Sequence, residues 1–212
     1  MVSWHHVVEF TALSALLVAI PGPSVLFTVS RALTSGRRTA LLNVVGNEMG
    51  LVVQVVAVSF GIGAVVERSA SIYAFVKLAG AIYLVYLGTQ AVRHRRSLAE
   101  AVAQRAAPIS TRRAMRDGAI VGATNPKTIA FFLVVLPEFA NKASGDLALQ
   151  FLVLGAIFPV VALALDSVWA IVAGTASEWL SRSPRRLAAI GGAGGLVMIG
   201  LGLTVAATGR KE

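Results

Sequence analysis

Residues 118–137 read GAIVGATNPKTIAFFLVVLP, and Asn125-Pro126-Lys127 near their centre decides how the chain folds. The stretch carries a single charge and is long enough to cross about 30 Å of hydrocarbon as a helix. Proline inside such a helix removes a backbone donor and crowds the preceding turn. A lysine at that depth is costly and is by default a functional residue. The first apolar run carries a similar break at Pro21-Gly22-Pro23. Two interrupted helices that build one site are therefore expected.

Working outward, the rest of the chain has the same character. Its 212 residues are 56% hydrophobic and 14% charged, with a mean hydropathy of +0.76; soluble domains carry about 25% charged residues. Residues 10–30 and 187–209 hold no charge. Residues 39–66 hold only Glu48, residues 69–92 only Lys77, and residues 147–177 only Asp166. With residues 118–137 these make six runs, each near the roughly 20 residues that a spanning helix needs. The expected fold is an all-α integral membrane protein of six transmembrane helices. The first run lacks a basic start and a small-residue cleavage pattern, so it is expected to be a span and not a leader.

The net charge of +9 raises nucleic acid as a partner, but its distribution points elsewhere. Arg31, Arg37 and Arg38 follow the first run, and Arg93, Arg95, Arg96, Arg105, Arg112, Arg113 and Arg116 follow the third. Arg182, Arg185 and Arg186 follow the fifth, whereas the other side holds only Arg68, Lys142, Arg210 and Lys211. Positive loops stay cytoplasmic, so both termini are expected outside, with the basic loops against anionic lipid. No nucleic-acid contact is expected. The basic linker 93–117 divides a single membrane domain, 1–212, into halves 1–92 and 118–212. Three spans per half make any internal repeat inverted, and a proline-broken first span in each half points to the binding site.

Several residues are candidates for that site. Pro21, Gly22, Pro23, Asn125 and Pro126 would free backbone groups near the midplane. Lys127 lies about ten residues, or roughly 15 Å, from the cytoplasmic end of its run, too deep for easy snorkelling. Glu48 and Asp166 are acids inside apolar runs, suited either to carry a proton or hold an ammonium, or to pair with a buried base. Lys77 lies near the outer end and is expected to snorkel. Gly46 with Gly50, and Gly80 with Gly88, share helix faces and suit close packing. The glycines of residues 187–209 suit close packing or a homodimer. Trp4 reads as an interfacial anchor, and His5-His6 as a solvated terminus. Without cysteine, thiol catalysis, disulfides and thiolate metal sites are excluded; no metal or cofactor is expected.

In this order the motifs resemble those of the lysine-exporter/homoserine-threonine-resistance (LysE/RhtB) family. Pro21-Gly22-Pro23-Ser24 with Arg31-Ala32-Leu33 and Gly36-Arg37 carries the likeness, as do residues 46–50 and 80–88. Asn125-Pro126-Lys127, Phe131-Phe132 and Pro137-Glu138-Phe139 complete it, although family members frequently carry glutamine where Glu138 stands. The resemblance implies a secondary exporter of amino acids or related metabolites in a bacterial cytoplasmic membrane, driven by protons. A membrane scaffold is the main alternative. An intramembrane enzyme finds no His-Glu-x-x-His pair or Ser/His constellation, and a nucleotide-driven pump finds no phosphate-cradling glycine loop. No ring of charges suggests a channel.

Overall fold

The computed structural model describes residues 3–68, 70–96, 109–141, 145–175 and 183–207, and among these it is entirely helical. The helices are α1 (Trp4–Ala19), α2 (Pro23–Arg68), α3 (Ala70–Arg93), α4 (Thr111–Ala123), α5 (Pro126–Val135), α6 (Leu147–Thr175) and α7 (Pro184–Ala207), with a 3-10 turn at Leu136–Phe139. Inside α2, Gly36 adopts φ 82° and ψ 165°, a left-handed conformation natural only to glycine, and breaks the helix there. Residues 97–108 of the basic linker lie outside the described residues, as do Lys142, Arg182, Arg210 and Lys211.

Ser35–Gly61 and Leu147–Thr175 are long and apolar enough to cross a membrane unaided. Trp4–Ala19 with Pro23–Leu33 and Thr111–Ala123 with Pro126–Phe139 are bent pairs, angled by 50° and 40°, and raise the number of candidate spans to four if each counts once. The third and sixth apolar runs form α3 and α7, each 24 residues long and packed against one another.

The helix ends differ from those read by counting charges, because caps and not charges set them. Ser3 Oγ accepts a hydrogen bond from His6 N, so α1 begins at Trp4 and not Phe10. Ser110 Oγ likewise accepts from Arg113 N, so α4 starts within the basic linker at Thr111. Lys127 consequently lies deeper in its bent pair than the charge count implied.

Helices approach closely where glycines remove side chains. In the crossing of α2 and α4, Cβ atoms on Gly46, Gly50, Gly118 and Gly122 would run into the facing backbone at Met115, Ala119, Asn43 and Asn47 respectively. Between α3 and α7, a Cβ on Gly88 would lie 2.5 Å from the Gly195 carbonyl oxygen, and one on Gly202 2.7 Å from that of Ala81. Gly80 faces the Val134 side chain instead. This is the small-residue packing by which helices associate without a hydrophobic drive from water. A core of Phe10, Phe131, Phe132, Phe151 and Phe158 fills the space among α1, α5 and α6. Its rings stand 5.1–5.7 Å apart in the pairs Phe132–Phe158, Phe131–Phe158 and Phe10–Phe131.

The two bent pairs run antiparallel. At one end, Phe139 contacts the rings of His6 and Phe10, at 5.8 and 5.6 Å. At the other, Arg31 Nη2 meets Asp117 Oδ2 at 3.1 Å. Gly50→Ala should destabilise the purified protein by about 1–3 kcal/mol through overpacking. Gly61→Ala, whose new methyl would meet nothing within 4 Å, should not lower the melting temperature and gains helix propensity. Equal melting curves for the two variants would refute this account of the crossing.

Candidate functional site

Each proline break removes the helical donor of one carbonyl, and in both cases a side chain from elsewhere in the fold supplies a bond, although Gly122 O also keeps a long 3.4 Å bond from Asn125 N. In an α-helix the N–H of residue i+4 bonds the carbonyl of residue i. Pro21 therefore cannot serve Leu17, nor Pro126 serve Gly122. Lys127 Nζ donates to Leu17 O at 2.9 Å and also to Ile20 O, the C-cap of α1, at 2.9 Å. Gln54 Nε2 donates to Gly122 O at 2.8 Å and lies 3.0 Å from Ala123 O and 3.3 Å from Asn125 O. One half-helix thus ends on a cation, the other on a neutral amide.

The breaks also touch. Asn125 Nδ2 donates to Ser24 Oγ at 2.6 Å across 101 residues of sequence. The same asparagine caps α5, its Oδ1 accepting from Lys127 N at 3.1 Å, and Pro126 takes the first helical position, where its missing N–H costs nothing. Thr128 Oγ1 donates to Gln54 Oε1 at 2.7 Å, closing a network from α2 to α5. Pro21 and Gly22 are buried at the junction, whereas Pro23 is exposed.

A cavity of about 20 Å³ lies at the junction, space for about one water molecule. Lys127 and Asp166, 4% and 3% exposed, both line it, with Gly22, Ser24, Asn47, Asn125 and Thr128. They are close enough for their charges to interact, yet among the described residues no ion pair within 4.0 Å joins them. Asp166 Oδ1 has no hydrogen-bond partner. The alternative of a direct structural pair between Lys127 and an acid is thus absent from this geometry. Two of the three Lys127 ammonium hydrogens serve α1, which leaves one for a ligand.

Glu48, 7% exposed, sits differently. Its Oε1 accepts from Asn47 Nδ2 at 3.1 Å and its Oε2 has no partner. Asn47, not Glu48, lines the cavity. Lys77 makes an ion pair with Glu138 at 2.7 Å and ties α3 to the 3-10 turn. His5 pairs with Glu9 at 3.0 Å on the exposed face of α1.

Sequence reasoning missed Gln54 and Thr128 as members of this network. The signal for Gln54 existed: Pro126 leaves Gly122 O in need of a donor, and an uncharged amide buried in an apolar run is a ready source. Nothing in the sequence alone gives the pairing across 68 residues.

Comparison with known proteins places the chain. A protein of Vibrio cholerae described as an uncharacterized membrane protein is 30% identical over 206 residues, covering 95% of this chain and 97% of that one. A homoserine/homoserine lactone efflux protein of Salmonella typhimurium is 30% identical over 193 residues, 91% of this chain and 92% of that one. A leucine efflux protein of Enterobacter sp. is 25% identical over 207 residues, 96% and 94% respectively. No solved structure matches. The LysE type translocator family matches residues 15–209, and with near full-length likeness to two efflux proteins the chain belongs to that family.

Proposed function

We propose that this protein exports amino acids or closely related small metabolites across a bacterial cytoplasmic membrane by alternating access around the cavity between the two breaks. One observation carries the reading: Lys127 and Asp166, both buried, line one cavity where two broken helices meet. Buried charges of this kind mark substrate and ion pathways. An amino acid is a zwitterion. The free hydrogen of the Lys127 ammonium and the start of α5 suit its carboxylate, and the unpartnered Asp166 oxygen suits its ammonium. The efflux proteins that resemble this chain are named for homoserine, its lactone and leucine, which share an amino group and have no charged side chain. The other lining residues, Ser24, Asn47, Asn125 and Thr128 among them, are likewise uncharged, so neutral amino acids are the proposed class.

The proposed frame is six spans in two inverted halves, 1–92 and 118–212, around the linker 93–117. Its support is the antiparallel run of the two bent pairs together with the packing of α2 on α6 and of α3 on α7. The arginine-rich ends face the cytoplasm and anionic lipid, leaving both termini outside. Protons drive export in this scheme. A proton entering from outside neutralises Asp166, with Glu48 as a second acid nearby, and weakens its hold on the ammonium.

Efflux from preloaded proteoliposomes should fall by about tenfold or more in Lys127→Ala and in Asp166→Asn, since each leaves a buried charge without its counterpart. Unchanged, proton-driven efflux in both variants would sink the mechanism. For the orientation, a reporter active only outside the cytoplasm should work when fused after Glu212 and fail when inserted within residues 97–108; the reverse pattern would overturn it.

A further inference from the structure

The C-terminal end of α1 is built to hold a cation. The Lys127 Nζ lies 2.9 Å from both Leu17 O and Ile20 O, at the negative end of a helix dipole. Asp166, 3% exposed and with Oδ1 unpartnered, lines the same cavity, as do Ser24 and Thr128. Freed carbonyls at a broken helix end, beside a buried carboxylate, are of the kind that holds a small monovalent cation in transporters. The lysine reaches it through a slot fitted to its chain. A Cβ on Gly22 would lie 3.0 Å from Lys127 Cδ and 3.1 Å from Nζ.

The second break shows that repair of a proline interruption needs no charge, since the Gln54 amide repairs α4. A positive charge at the equivalent place in α1 exceeds what hydrogen bonding requires, and the unpaired Asp166 carboxylate accounts for it.

We propose that Leu17 O and Ile20 O, with the Asp166 carboxylate lining the same cavity as countercharge, form a monovalent-cation site whose occupant is tethered: the Lys127 ammonium stands where a soluble ion would otherwise bind, and transport runs without sodium. The inference deepens the export reading, on which only its efflux arm rests. Removing the lysine side chain opens the site to a soluble cation.

The test compares wild type, Lys127→Ala, Lys127→Gln and Lys127→Ala/Asp166→Asn in choline, sodium and methylammonium chloride at equal ionic strength. Wild-type efflux should be the same in all three salts. Lys127→Ala efflux should fall by about tenfold or more in choline and rise when sodium or methylammonium replaces it. In detergent, those two cations should raise the melting temperature of Lys127→Ala by about 3 °C, with no shift in wild type or the double variant. Sodium-dependent wild-type efflux overturns the proposal, and so does a folded Lys127→Ala that answers to no cation. If Lys127→Ala does not accumulate, Lys127→Gln decides: wild-type efflux from this neutral hydrogen-bonding mimic in choline overturns the proposal, and efflux lost in choline but recovered in sodium or methylammonium supports it. A wild type that exports no amino acid ends the export reading instead, while the melting measurements still read the cation site.

Discussion

Everything at the centre of this protein follows from carbonyls that proline has deprived of their donors. In a hydrocarbon interior an unbonded carbonyl cannot turn to solvent, so a partner from within the protein is favoured. Leu17 O is answered by Lys127 and Gly122 O by Gln54. Those two bonds run from α5 to α1 and from α2 to α4, and so they fix which helices lie side by side. The contact of Asn125 with Ser24 then joins the two breaks. The buried network is therefore also the scaffold of the fold.

The ends of the bent pairs are closed by different chemistry. On one side, aromatic rings pack from Phe10 through Phe131 to Phe158, with Phe139 covering Phe10. On the other, Asp117 gathers Arg31, Arg113 and Arg116 at 3.1, 3.7 and 3.3 Å, and the Arg31 guanidinium lies 4.7 Å above the Phe27 ring. A cavity of about 20 Å³ between such ends is too small for an amino acid. Admitting one requires either end to part. Partly exposed charge pairs are individually weak, typically about 0–1 kcal/mol, whereas interlocked rings hold through packing that does not diminish with salt.

Much of this was legible in the sequence, and the illegible part has a physical boundary. The two breaks, the apolar runs and the deep charges are local facts, visible because proline and lysine are out of place in apolar helices. Helix ends were less legible: Ser3 and Ser110 extend α1 and α4 past the charges that a hydropathy reading stops at. What remained hidden is pairing. That Lys127 would turn to the carbonyls of α1 and not to an acid, or that Gln54 would hold the second break, depends on which helix faces lie opposite one another. Nearly uniform apolar composition conceals those faces, because lipid-facing and buried positions are written in the same residues. The glycines of the α2–α4 crossing illustrate this, since Gly46 and Gly50 were visible as a pair but their partners at Met115 and Ala119 were not.

The bond from Lys127 to Leu17 also has a consequence in time. It joins residues 110 positions apart, so α1 is synthesised long before the side chain that completes it. At about 5–20 residues per second, synthesis of that interval takes roughly 5 to 20 seconds. Throughout it the end of α1 must borrow a partner, from water, a lipid headgroup or the insertion machinery, and surrender it when α5 arrives. The C-terminal end of the first helix is thus completed only once Lys127 has been translated.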